Sequence, residues 1–580
     1  MVGPVDKGLL PAENYLVYWG QRSLAQYAVL ITWREILGKE PELAHLHALL
    51  AKYQRKEVLF LLAKLNCLLG TWQNALDFDV DSKLTRILLS SYYSQIDKLR
   101  RASGGRVLFS RITLLYLAKQ ACIVCGNTGA MMDDARSHEA IGLACLMAND
   151  LMLPFMPSPQ DGTLEKLANV LPFSDYMPHD QYPAEIARAQ KMFDIASQDP
   201  SLRSRSDFVD LKTEFENAMA ASYTTFSQLV FGCATKFLNV RLEDLTSPEA
   251  MILRSTFFQK SAIPPEKAKE FFQKMTISES VLAEKIRESR ERPGDDFTLF
   301  QAYPLVEIAR DIYTCLDPGF LVEKAGRGLF WTILSELQNK QKNRLFSFWG
   351  AVFEIYVNSI LGQSYKAGGR YIPEPKFPDG DPAFDACLLE GQRLLVFEQK
   401  SSTIRADCKY GGNVAKLKAE LHLKFIDGDD EGAKGIAQLN KGMIRFLSGE
   451  SIDGIACSDV TKIYPCLICL DNSVSVPYVG RYFNEQFRAV FPRNKFRQTV
   501  TPVVTLNISD VENILGYLQE FKLSDILDSF YSKNRNMLGS LSTSEVPLLK
   551  TAQPAVNIVR EGFANFGRRI EIDLFPGQVE

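Results

Sequence analysis

The chain has 580 residues, a formal net charge of −3 and 46% hydrophobic content. That length suits several domains, each with an ample core. The near balance of charge excludes a global basic field, so any contact with nucleic acid has to come from a local patch. No run of about 18 uninterrupted apolar residues marks a membrane span. The start, Met1-Val2-Gly3-Pro4-Val5-Asp6, lacks the charged and apolar regions of a secretory signal. The eleven cysteines read as reduced, buried small hydrophobes of a cytoplasmic protein, with no membrane partner.

Residues 1–160 read as a helical subdomain. Leucines recur at helical intervals over 46–69, 82–99, 108–124 and 137–153. A proline-rich break at Pro154-Phe155-Met156-Pro157-Ser158-Pro159 ends it. A second helical region covers 161–340, with helical patterns over 207–238, 264–292 and 303–316. Such helical surfaces offer a place for a second copy or a protein partner. The five histidines are dispersed. His45 and His47 are two apart in one helix and face different directions.

An α/β domain is expected over 341–535. It opens on a helix from 346 to 361 whose apolar stripe is Phe346, Trp349, Phe353, Val357 and Ile360. Residues 383–389 and 392–400 read as a hairpin with its turn at Glu390-Gly391. Such a turn sets Asp385 opposite Val396. Paired residues share a face and side chains alternate, so Asp385, Glu398 and Lys400 point the same way. A three-residue loop would break that parity. A helix then carries Ile436, Leu439, Met443 and Leu447, with Gln438 and Lys441 off the stripe. Strands are expected at 462–470 and 501–506, and helices at 510–519 and 523–531. Residues 536–580 form a connector and tail, with a short strand at 569–575.

Neighbouring strands lie about 4.8 Å apart. Carboxylates of Asp385 and Glu398 on such strands can reach one hard cation, with oxygen ligands at about 2.1 Å for Mg²⁺. Two anions that close resist joint ionisation unless a cation or proton intervenes. Lys400 supplies one positive charge, and a metal would supply the rest. The ion can polarise a phosphate oxygen and acidify a water. Lys400 can hold that water or stabilise developing charge. The main-chain carbonyl of Gln399 is a further oxygen ligand. Glu354, at the stripe's edge, is placed to reach the metal directly or through water, and Gln438 to orient a phosphate or the metal water. Read blandly, the same residues are an ordinary hairpin face with an ion pair between Glu398 and Lys400.

Lys409, Lys416, Lys418, Lys424, Lys434, Lys441 and Arg445 cluster after the hairpin and can neutralise phosphates. Asp427, Asp429, Asp430 and Glu431 interrupt the run, which equally fits a solvated helix face. The pairs Cys122/Cys125 and Cys466/Cys469 would hold zinc only if the fold brought them together. Buried core is the expectation for both.

The helix with Gly350-Ala351-Val352-Phe353-Glu354, then Asp385, then Glu398-Gln399-Lys400, then a helix with Gln438, resembles the PD-(D/E)xK nuclease superfamily. The likeness covers about residues 340–530. It departs at Phe384, where the family has a proline. The resemblance implies a restriction-endonuclease-like α/β domain with a central mixed sheet flanked by helices. It also implies Mg²⁺ or Mn²⁺ as cofactor and hydrolysis of nucleic-acid phosphodiester bonds. DNA is the expected substrate, with RNA or a junction as the alternative. Prokaryotic or phage defence is the setting that fold analogy suggests. A binding scaffold with no catalysis is the rival from another class.

Overall fold

The computed structural model describes residues 29–574 apart from 71–77, 104–105, 153–161, 176–181, 248, 290–292, 295, 430–431, 477, 493–494, 535–540, 542–545, 551 and 556–557. The proline-rich break at 154–159, the start of the chain and much of the stretch before the last helix therefore lie outside the described residues. The fold is mixed: a helical first half, then an α/β part with a central mixed sheet.

Local chemistry divides the first half more finely than its periodicity suggests. The pattern over 207–238 splits into helices Leu211–Met219 and Tyr223–Leu238, because Ala220 takes a left-handed φ of 54° between them. The pattern over 264–292 splits into Pro265–Met275 and Glu279–Glu288 around a short strand, Thr276–Ser278. The helix expected over 303–316 is instead a β-hairpin, Leu305–Ala309 and Ile312–Cys315. Val306, Ile308, Ile312 and Thr314 are β-branched and suit a strand. Asp311 makes the turn at φ 60°. The hairpin belongs to a four-stranded sheet with Thr276–Ser278 and Leu253–Arg254.

The α/β part begins with α1, Asn339–Ser364. Its buried stripe is Leu345, Phe348, Trp349, Val352, Phe353, Tyr356, Val357 and Ile360. Phe346, expected in that stripe, is 46% exposed. It lies one position off the true seam set by Leu345, Phe348 and Val352. By length and composition α1 alone among the described helices could cross a bilayer, yet more than half of its apolar window is buried in the protein.

Then follow β1 (Arg370–Pro373), β2 (Ala386–Glu390), β3 (Arg393–Lys400), α2 (Ile436–Leu447), β4 (Lys462–Cys469), β5 (Thr499–Val500) and β6 (Val504–Asn507). The sheet order is β5-β4-β3-β2-β1, with β6 also beside β4. The β1, β2 and β3 strands pair antiparallel, while β3 with β4, and β4 with β5 and β6, pair parallel. Strand alternation sends Leu395, Phe397, Cys466 and Ile468 to the core under α1. Leu394, Val396, Leu467 and Cys469 go to the core under α2. Cys466 and Cys469 thus face opposite sides of the sheet, so the second cysteine pair cannot share an ion.

The core under α1 runs without interruption from Ile31 to Ile570 and crosses residue 340. The helix Thr163–Val170 also leaves its sequence neighbours. It packs on Val414–Leu421 and Val479–Val490 on the far side of the sheet. Of the strand expected at 569–575, residues 569–574 belong to a helix, Ile558–Leu574, which packs on the helix Tyr182–Gln198, and residue 575 lies outside the described residues. A helical period over Val559, Phe563, Phe566 and Ile570 outweighs the short Ile-Glu-Ile alternation.

One buried ion pair fastens the halves. Arg188 meets Glu512 through two bonds of 2.7 Å and donates to Ser509 Oγ at 3.0 Å. Tyr356 of α1 donates its hydroxyl to Glu512 at 2.6 Å. Removing one partner of such a pair leaves an uncompensated buried charge. Arg188→Ala is therefore expected to lower unfolding free energy by about 3–5 kcal/mol in urea titrations.

Candidate functional site

The hairpin of β2 and β3 positions the site. Glu390 pairs with Arg393, so the turn is Gly391-Gln392, not Glu390-Gly391. Gly391 takes φ 66°, a left-handed conformation that costs glycine little. Glu390 is kept in the strand by a tertiary task. Its carboxylate accepts from the N–H groups of Leu523 (2.9 Å) and Ser524 (3.0 Å), capping the helix Leu523–Lys533, and from the Tyr365 hydroxyl. The true register shifts each partner by two residues: Cys387, not Asp385, faces Val396. A shift of two preserves parity. Asp385 still shares its face with Glu398 and Lys400.

Asp385 stands just ahead of β2. Its N–H donates to the Phe397 carbonyl at 3.1 Å, and its Oδ2 accepts from the Gln399 N–H at 2.6 Å. Successive strand residues address opposite neighbours. The Lys400 carbonyl accepts from Leu470 on the β4 side, so the Gln399 carbonyl turns toward Asp385. Glu398 is fully buried and its Oε1 pairs with the Lys400 ammonium. Glu398 Oε2 is buried with no hydrogen-bond partner.

Glu354 comes from α1, across the sheet's edge. Four residues on, Asn358 accepts from Gln399 Nε2 at 2.9 Å and from the Tyr371 hydroxyl at 2.7 Å. Residues four apart share a helix face, so this clasp turns Glu354 toward the end of β3. Gly350, one turn earlier, lies over Ser401, whose Oγ would be 3.7 Å from an added Cβ.

On the other face, α2 approaches the Asp385 lead-in closely. A Cβ at Gly442 would lie 2.5 Å from the Ala383 carbonyl oxygen. Gln438 is one turn before Gly442 on the same helix face and half-buried.

Charge is unbalanced here. Burial pushes Glu354 up to about 7, with the Asp385 charge adding to the rise and Lys400 and Arg205 opposing it. Burial, then the Asp385 charge, raises Glu398 well above the carboxylate range against the pull of Lys400. Asp385 is raised by burial, with Lys400 and the Gln399 N–H opposing. For Lys400 burial alone would lower the ammonium, but Glu398 and Asp385 outweigh it and the net shift is upward. Burial thus works against the charged form of all three acids, and a bound cation would favour it.

Sequence reasoning missed Arg205, Asp207 and Glu374. Arg205 grips Asp207 with bonds of 2.8 and 2.9 Å, and Asp207 accepts from Ser347 of α1 at 2.5 Å. Glu374, exposed at φ 47°, donates its N–H to the Asp385 carbonyl at 3.0 Å. Its charge acts on Glu354 and Asp385. Nothing periodic marks these residues, and Arg205 lies far away in the chain.

The basic cluster after the hairpin is partly engaged elsewhere. Arg445 binds Asp379 (2.6 Å), Asp381 (3.0 Å) and Glu450 (2.5 Å). Lys424 binds Glu420 at 2.9 Å, and Lys409 is buried. Lys416, Lys418 and Lys441 are exposed. Cys122 and Cys125 are buried in the helical half, and burial pushes the Cys125 thiol up to about 12.

The fit to a hard cation rests on oxygen donors: the unpartnered Glu398 Oε2, the Asp385 carboxylate, the Gln399 carbonyl and Glu354. Among the described residues no three His, Cys, Asp or Glu side chains are already drawn together as a ligand group. Here Glu398 gives its other oxygen to Lys400 and Asp385 gives one to the Gln399 N–H. No family model, curated protein or solved structure matches this chain.

A carboxyl raised by folding binds more protons in the folded state between its two pKa values. For Glu354 that window runs from 4.5 to about 7, and stability falls as pH rises through it. In EDTA the melting temperature should therefore drop across this window, with Glu354 contributing on the order of 3 kcal/mol. Glu354→Gln should flatten the drop.

Proposed function

We propose that this protein is a metal-dependent endonuclease that hydrolyses DNA phosphodiester bonds. One observation carries the reading. Asp385, Glu398 and Lys400 project from one face of a buried hairpin, and Glu398 keeps an oxygen with no partner in the protein. Burying an acid with an idle oxygen is costly unless something binds it. The mixed sheet flanked by helices agrees with the PD-(D/E)xK likeness read from the same residues.

Asp385 and Glu398 would hold Mg²⁺ or Mn²⁺, with the Gln399 carbonyl and Glu354 supporting it. The ion supplies a Lewis acid for the phosphate and lowers the pKa of a bound water. Lys400 lies on the same strand face as both acids, within reach of a water or a phosphate oxygen beside them. Its ammonium positions that water and stabilises negative charge as it develops. The Gln438 amide orients a phosphate oxygen or the water from the α2 side.

The test is cleavage of supercoiled plasmid, linear duplex, single-stranded DNA and RNA in Mg²⁺, Mn²⁺ or EDTA. Cutting is expected only with metal, and Lys400→Ala and Asp385→Asn should each lower the rate by at least about 100-fold while the thermal transition persists. RNA cut in preference to DNA would reassign the substrate. Wild-type protein that cuts none of them, or variants as active as wild type, would overturn the reading.

A further inference from the structure

Three contacts fasten the 205–208 loop of the helical half onto α1. Ser347 donates to Asp207 at 2.5 Å, Arg344 donates to the Phe208 carbonyl at 2.9 Å, and the Phe208 ring meets buried Phe348 edge-on with centroids 5.4 Å apart. The loop in turn holds one cation. Arg205 Nε and Nη2 donate to the two oxygens of Asp207 at 2.8 and 2.9 Å. An exposed ion pair by itself adds little stability. Here the anion is anchored to a helix, so the pair fixes where a guanidinium sits.

A guanidinium is planar and carries five N–H donors. Asp207 takes the edge formed by Nε and Nη2, and it is the one hydrogen-bond partner of the Arg205 side chain among the described residues. The edge between Nη1 and Nη2 is left open on a side chain that is 42% exposed. Two parallel N–H groups on such an edge match two oxygens of a phosphate.

Arg205 lies near the candidate site. Ser347 precedes Glu354 by seven residues, so both lie on one side of α1, about 10.5 Å apart along its axis. That length spans about three nucleotides at about 3.4 Å each. The Asp207 bonds, then the charges of Asp207, Glu354 and Glu374, hold Arg205 above its ordinary range against burial.

The mouth of the site lacks another cation for a polyanion to meet. Glu354 and the exposed Glu374 repel phosphates when ionised, and Lys400 is 16% exposed with its ammonium given to Glu398. Of the charges that act most on Glu354, the cations are Lys400 and Arg205, and Arg205 is the exposed one.

We propose that Arg205, held by Asp207, binds a phosphate flanking the one to be cleaved, so that the helical half supplies part of the substrate-binding surface. This deepens the nuclease reading and rests on it.

The test is steady-state cleavage by the full-length protein in Mg²⁺, on DNA or on RNA if that is what wild type cuts, together with Mn²⁺ affinity by calorimetry without nucleic acid. A contact to a flanking phosphate is made before and during the chemical step alike, so its loss raises KM and spares kcat. Arg205→Ala should raise KM about tenfold and change kcat by less than about twofold. It should bind Mn²⁺ at least as tightly as wild type, because a cation near the acids is gone. Arg205→Lys keeps the charge and the pairing with Asp207 but has no second planar edge, so its KM should stay at least about fivefold above wild type. Wild-type KM in Arg205→Ala overturns the contact. Wild-type KM in Arg205→Lys overturns it too, because charge alone then accounts for the effect. Mn²⁺ affinity and kcat falling together in Arg205→Ala would make Arg205 a support of the acids and also overturn it. Each of these outcomes leaves the nuclease reading standing. If wild type cuts no nucleic acid, that reading falls and takes the Arg205 contact with it.

Discussion

Everything at the candidate site depends on the pairing register of β2 with β3. Side chains alternate across a strand, so a slip of one residue would turn Glu398 and Lys400 toward α1 and bring Gln399 to their place. The register is held at both ends. Glu390 caps the helix Leu523–Lys533 at one, and Asp385 bonds the Gln399 N–H at the other. A turn placed one residue further along the chain therefore leaves the constellation intact.

The second constraint is charge. Glu354, Asp385 and Glu398 are each buried and each feel the charge of Lys400, while Arg205 acts on Glu354. Low polarity strengthens each attraction but penalises every carboxylate left without a counter-charge. A proton or a cation beside the acids would meet that demand. Folding stability and ligand affinity are then linked through the same acids. Glu398 is the clearest case, with one oxygen committed to Lys400 and the other idle.

The helical half is part of this arrangement rather than an appendage. Arg188, Glu512 and Tyr356 join the helix Tyr182–Gln198, the helix Ile508–Ile514 and α1 in one buried cluster. The Asp207–Ser347 contact ties a loop of the helical half to the exposed face of α1. Both contacts lie within about two turns of Glu354, and the apolar core is continuous across them. The position of Glu354 is thereby set from both halves of the chain.

Much of the sheet and of the acid–lysine cluster was legible in the sequence. Alternation from Arg393 to Lys400 and helical spacing from Ile436 to Leu447 are local patterns, and burial of one face enforces each of them. Asp385, Glu398 and Lys400 could be placed on one face because strand parity is a local rule. Tertiary structure alone decided the rest. The 305–315 segment became a hairpin because it pairs with strands at 276–278 and 253–254. Arg205 and Asp207 met α1, and Glu374 met Asp385, through contacts that leave no periodic trace. Local sequence determines which side of its own element a residue occupies, whereas which elements come together depends on burial and pairing between distant segments.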